Sequence, residues 1–180
     1  MIVTGLDTET TSLIDNSLKP LEKQPQIIEF YSLSFERTGD EMEEISSHHF
    51  LAHPGKRLSE ETTRITNITD AMLEGAERFA AHAAGLVEVI EASDEVVAHN
   101  LAYDKAVIDF ELQRIGMTVK WPKRLICTVE ATEFMKGFRL SLSALHEELF
   151  GEKFEGAHRA EVDVRAMMRC YAELARRGDV

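Results

Sequence analysis

Residues 2–13 read Ile2-Val3-Thr4-Gly5-Leu6-Asp7-Thr8-Glu9-Thr10-Thr11-Ser12-Leu13, an apolar opening that runs into two acids among threonines. The pattern is that of a short strand leaving its sheet for a loop. Asp7 and Glu9 stand two apart, and residues i and i+2 of a strand lie on one face about 7 Å apart. Two carboxylates beside an apolar strand repel each other and are poorly solvated, so ionising both is costly unless a cation is shared between them. A divalent metal would serve. The competing reading is a solvated strand end, where Asp, Thr and Ser serve as turn formers.

Working outward, Asp15 to Gln26 is polar, carries Pro20 and Pro25, and reads as a loop. Gln26 to Phe35 is β-like, with Glu29, Tyr31, Leu33 and Phe35 in alternation. Thr38-Gly39-Asp40 is a turn, and Ile45 to Ala52 a third strand, which gives an antiparallel meander. His48 and His49 point to opposite faces of that strand, so with His53 they are expected as edge or surface residues rather than joint metal ligands. Pro54 to Thr69 reads as a connection. Asp70 to Leu73 and Arg78 to Ala92 read as helices, the second with Phe79, Ala83, Leu86, Val87 and Ile90 in a stripe.

Glu95 to Ala98 is a short buried strand that leads through His99-Asn100 into a helix from Leu101 to Ile115, ended by Gly116. Leu101, Asp104, Ile108, Leu112 and Ile115 recur at spacings of three and four, which puts Asp104 on a core-facing stripe. A buried carboxylate without a partner is expensive, and a metal or an arginine is the usual resolution. Leu125 to Cys127 is a further strand, followed by helices over Val129 to Met135, from a cap at Ser141 or Ser143 through Leu149, and from Ala160 to Arg176. The last helix places Val162, Ala166, Met167, Cys170 and Leu174 on one side, with Asp163 beside them. Three strands, then helices alternating with strands, predict a single α/β domain over residues 1–180: a mixed sheet, antiparallel meander plus parallel strands, flanked by helices in the manner of a ribonuclease H-like fold.

The chain has 180 residues, 44% hydrophobic and 29% charged, which suits a globular protein large enough for a substantial core. No apolar run approaches the ~20 residues that cross a bilayer, and no charged segment followed by an apolar stretch opens the chain, so a cytoplasmic location is expected. Cys127 and Cys170 lie in apolar surroundings, outside any Cys-x-x-Cys spacing, and read as buried free thiols. A net charge of −12 discourages an extensive grip on a phosphate backbone. If nucleic acid is the substrate, the charge favours work at a strand end, where bound cations supply much of the positive field.

Three segments carry a family resemblance: Asp7-Thr8-Glu9 in its Thr-rich setting, His99-Asn100-Leu101-Ala102-Tyr103-Asp104, and His158-Arg159-Ala160-Glu161-Val162-Asp163. Together they resemble the exo motifs of the DEDD exonuclease superfamily, across nearly the whole chain. One branch of that superfamily has a Tyr four residues before the last Asp, where this chain has Arg159. The other has a His five residues before it, where this chain has His158, so the resemblance is to the DEDDh (DnaQ-like) branch, with its proofreading subunits and exonuclease X-like trimming enzymes. Gln26-Ile27-Ile28-Glu29 is similar to that family's second strand. Arg64-Ile65-Thr66-Asn67-Ile68-Thr69 resembles its His-Gly-Ile-Thr segment, with Asn67 in place of the glycine.

The resemblance implies a metal-dependent 3′→5′ exonuclease that releases 5′-mononucleotides. It implies two Mg²⁺ ions, replaceable by Mn²⁺, with Asp7 bridging both, Glu9 and Asp163 on the nucleophile side, and Asp104 reaching the other ion through water. Oxygen-only donors suit these hard cations, and two ions about 4 Å apart can serve both the attacking and the leaving oxygen. His158 would take a proton from the attacking water, a task suited to an imidazole. Thr10, Leu13, Ile65, Asn100 and Tyr103 occupy the places that hold the terminal nucleotide, although Leu13 and Ile65 also read as plain core. Single-stranded DNA 3′ ends are the expected partner, in replication or repair, with RNA as the alternative. A polymerase partner is implied only if the chain is a proofreading subunit. A phosphatase of the haloacid type also opens on an acidic strand end, but it needs Asp-x-Asp, and Glu9 stands at the second position.

Overall fold

The computed structural model describes residues 1–15 and 20–180; the centre of the expected loop after Asp15 falls outside them. The elements run β1 (Ile2–Thr10), a 3₁₀ turn (Leu21–Lys23), β2 (Ile27–Thr38), β3 (Glu41–Leu51), α1 (Glu60–Thr66), α2 (Asp70–Leu73), α3 (Phe79–Glu91), β4 (Glu95–Ala98), α4 (Leu101–Arg114), β5 (Arg124–Cys127), α5 (Thr128–Lys136), α6 (Leu142–Phe150) and α7 (Ala160–Arg177). The five strands form one sheet in the order β3-β2-β1-β4-β5. β1, β2 and β3 pair antiparallel, and β4 and β5 join parallel to β1. This is the expected ribonuclease H-like mixed sheet.

Two cores flank the sheet. Leu6, Phe30, Val96 and Ala98 pack with Phe79, Ala83, Leu86 and Ile90 of α3 and Leu101, Val107, Ile108 and Leu112 of α4. Val3, Tyr31, Leu33 and Val97 pack with Val164, Met167, Met168 and Tyr171 of α7. The strand period of two therefore decides which helix each β1 side chain meets. Val3 belongs to the α7 side, and Asp7 and Glu9 share its parity; Leu6 belongs to the α4 side with Thr8 and Thr10.

Several elements depart from the sequence reading. The connection Pro54 to Thr69 contains α1, which has no apolar stripe; it is started by Ser59, whose Oγ accepts the Thr62 N–H at 3.0 Å, and turns Thr62 and Thr66 inward. β3 begins at Glu41 rather than Ile45, because its first half is an exposed edge that pairs with β2 without burying a face. Ile115 is 38% exposed and leaves the α4 stripe, which is completed instead by Val107 and by Glu111. Glu111 accepts the Ile27 N–H at 2.9 Å and pairs with Arg114, so a second buried acid on α4 fixes the start of β2. His48 lies partly buried under α3, with its Cε1 where a side chain on Gly85 would sit, while His49 faces the other side of β3. Cys127 and Cys170 are buried free thiols. No helix among the described residues is long and apolar enough to cross a membrane.

Candidate active site

The C-terminal end of β1 carries Asp7 and Glu9 to the edge where α4 and α7 begin. Asp104 arrives on α4, one turn after Asn100, whose φ of 75° turns the chain from β4 into the helix. It is 3% exposed, and its Oδ1 accepts both the Thr8 N–H at 3.0 Å and the Thr8 hydroxyl at 2.7 Å. Thr8 sits between the two strand acids yet points to the α4 side, so it ties Asp104 to β1 from the opposite face. Burial drives the Asp104 carboxyl up to about 7, against the lowering effect of the Thr8 bonds.

Asp163 arrives from the other side, in the first turn of α7. Its Oδ2 accepts the His158 N–H at 2.8 Å, which pins the loop before the helix, and His158 itself takes a left-handed φ of 67°. Oxygen atoms of Glu9 and Asp163 and a ring nitrogen of His158 lie within 4.8 Å of one another. Asp7 lines a small cleft with Asp163 and with His99, Leu142 and Met167. Its carboxyl is held well above the ordinary range, first by burial and then by the charges of Asp104, Glu9, Asp163 and Glu29. Glu9 is pushed up to about 8 by burial and by Asp163, Glu29 and Asp104, with Arg159 opposing. Asp163 is raised by burial, partly offset by the His158 N–H.

Four carboxyl groups from three elements thus gather where none ionises easily without added positive charge. The burial of Val164, Met167 and Met168 of α7 against the sheet holds Asp163 at this edge. An all-oxygen donor set with a charge deficit fits a hard divalent cation such as Mg²⁺ or Mn²⁺.

A groove of about 450 Å³ opens beside the acids, lined by Thr8–Leu13, by Ser59, Glu61, Thr62, Ile65 and Thr66 of the α1 region, and by Tyr103. Leu13 is 81% and Ile65 41% exposed, so neither is core. The Tyr103 hydroxyl lies 2.5 Å from Thr10 Oγ1 and donates to the Ser12 carbonyl at 3.0 Å, which shapes the loop after β1. Thr62 fastens α1 to the same loop by donating to the Thr11 carbonyl at 2.8 Å. Asn100 is exposed at the head of α4 and does not line the groove.

Three participants escaped the sequence reading. Thr8 was hidden because nothing local says which acid a strand threonine will meet. His99 pairs with the Thr128 hydroxyl at 2.8 Å, and burial lowers it to about 4, so it braces β4 against α5 as a neutral ring. Glu29 alternates with Tyr31 and Leu33 in the sequence, but β2 is buried on both faces from Ile27 to Ser34, so strand period alone does not mark this acid as one that needs a partner.

A ribonuclease H-like sheet thus brings carboxyl groups from its first strand, a central helix and its last helix to one acid-lined edge. The chain belongs to the RNase T exonuclease family, whose model, described as an exonuclease, matches residues 4–171, and the placing of His158 five residues before Asp163 is that of its DEDDh branch. A search of curated proteins found no match. Among solved structures, the nuclease domain of 3′hExo, a DEDDh family member bound to rAMP, superposes with a TM-score of 0.77 at 15% identity, covering 98% of this chain and 92% of that one. A 3′-exonuclease described in 3′-end specific recognition of a histone mRNA stem-loop gives 0.74 at 16% identity, covering 98% of this chain and 64% of that one. A full-length 3′-exonuclease gives 0.75 at 16% identity, covering 98% and 82%.

Proposed function

We propose that this chain removes nucleotides one at a time from the 3′ end of single-stranded nucleic acid, hydrolysing the terminal phosphodiester and releasing a 5′-mononucleotide. The observation that carries this reading is the approach of Glu9, Asp163 and His158 within 4.8 Å, beside Asp7 and next to a groove of about 450 Å³ that Glu9, Thr10 and Tyr103 line. Asp7, Glu9, Asp104 and Asp163 would hold two divalent cations, which supply charge neutralisation at the scissile phosphate. Asp104 is kept in place for this by Thr8. His158, exposed on its loop, accepts a proton from the attacking water at a ring nitrogen. The water oxygen bonds to phosphorus, the P–O3′ bond breaks, and the leaving 3′-oxygen takes a proton from solvent. Thr10, Leu13, Ile65 and Tyr103 border the terminal sugar and base, while Asn100 contacts the strand only if it bends over the head of α4.

The test is to incubate the protein and Mg²⁺ with end-labelled linear and closed circular single strands. Stepwise shortening of the linear strand alone, abolished by chelator and by Asp7→Ala, is the expected result; cutting of the circle defeats the proposal. The family resemblance implies DNA 3′ ends as the first reading of the substrate. An exoribonuclease is a second reading, favoured by the two structural neighbours described with rAMP and with an mRNA stem-loop. Competition between DNA and RNA oligonucleotides of one sequence decides between them, since the 2′-hydroxyl is their main difference.

A further inference from the structure

Glu29 is a carboxylate with no exposed surface, on the strand beside β1 and directly opposite Glu9 in the register. Arg159 grips it with a two-pronged contact, Nε to Oε2 at 3.1 Å and Nη2 to Oε1 at 2.8 Å. The Ala160 N–H, at the first position of α7, donates to Oε2 at 3.2 Å, and His49 Nε2 lies 3.1 Å from Oε1. Arg159 is the N-cap residue of α7 but makes no side-chain cap bond of the usual kind; Glu29, from across the sheet, satisfies a free helix N–H instead. His158 is therefore pinned from two directions, its own N–H by Asp163 and its neighbour by Glu29. Its φ of 67° is one that a non-glycine residue keeps only when its surroundings enforce it.

We propose that Glu29 and Arg159 are a positioning couple that holds the His158 loop, and with it the start of α7, against the strand acids. Neither touches the reacting atoms. A planar guanidinium fork is required, because an ammonium cannot keep two parallel bonds to one carboxylate. The kinetic consequence rests on the exonuclease reading; the positional one does not.

The test compares Arg159→Lys and Glu29→Gln with Leu174→Ala, a cavity variant at the far end of α7 that destabilises the helix without reaching the couple. On a 3′-end substrate, each couple variant is expected to lose about 10–100-fold in kcat with KM little changed, while Leu174→Ala keeps its kcat at temperatures where it is folded. In ¹⁵N relaxation, the His158 and Ala160 amides should fall from an order parameter near 0.85 to below about 0.6 in either couple variant. Ordered amides in both, or a kcat loss no larger than that of Leu174→Ala, overturn the proposal. A wild-type protein inert on every 3′ end would sink the exonuclease reading, and the amide order would still decide whether the couple holds the loop.

Discussion

Gly5 of β1 and Met168 of α7 are in such close contact that a Cβ on the glycine would lie 2.4 Å from the methionine sulfur. The missing side chain makes room between β1 and α7 for the Met168 thioether and the Met167 methyl, close in sequence to Asp7 and Asp163. Gly5→Ala is expected to lift the helix and cost about 1–3 kcal/mol of stability, with a larger loss of activity than of folded protein because Asp163 moves. Gly5→Ala combined with Met168→Ala should recover part of both, measured by thermal melts and nuclease assays; an unaffected single variant would show that the contact does not set the helix position.

Thr8 should matter through its hydroxyl. Thr8→Val keeps the backbone N–H bond to Asp104 but deletes the 2.7 Å one, and a hydrogen bond to a charged group contributes about 1.5–3 kcal/mol. Weaker Mn²⁺ binding by titration calorimetry is expected in Thr8→Val and near-normal binding in Thr8→Ser. Equal binding in the two would assign the role to the backbone alone.

The metal-free protein should lose stability as pH rises from about 4 to 8. Unfolded carboxyls ionise near 4, whereas Glu9 in the folded chain is raised to about 8 and Asp104 to about 7. Between those limits the folded state holds more protons, so ionisation favours unfolding. Glu29 acts oppositely: burial alone would raise it, but the bonds from Arg159, Ala160 and His49 outweigh that and lower it. Its contribution is present above the unfolded value near 4 and fades as pH falls through the lowered folded one. Mg²⁺ should therefore raise Tm more at pH 8 than at pH 5; an equal rise at both would contradict the charge deficit assigned to the four acids.

Asn67 ends α1 at φ 57°, in the left-handed region. Asn67→Gly, the residue of the related family segment, should fold and act like the parent. Asn67→Ala should lose about 1 kcal/mol in a denaturant titration, the usual order for a non-glycine residue in that region. Equal stability of the two variants would mean that the turn relaxes.

Much of this protein was legible in its sequence because local periodicity reports which face of an element is buried. The strand alternation placed Asp7 and Glu9 together and the helical spacing put Asp104 on the packed side of α4, whereas α1, which has no apolar stripe, reads in sequence as a connection. Amphipathic patterning cannot reveal an edge strand with two wet faces, so the sequence shows β3 only from Ile45 while the pairing with β2 starts at Glu41.

Partners across the sheet were another matter, since a side chain carries its facing preference in sequence but not the identity of what it meets. Only the tertiary arrangement decided that Thr8 serves Asp104, that Gly5 admits Met168, and that Glu29 on β2 is matched by Arg159, 130 residues away along the chain. The residue types fixed which groups must find a counter-charge; the packing of α4 and α7 on opposite faces of one strand settled where each of them found it.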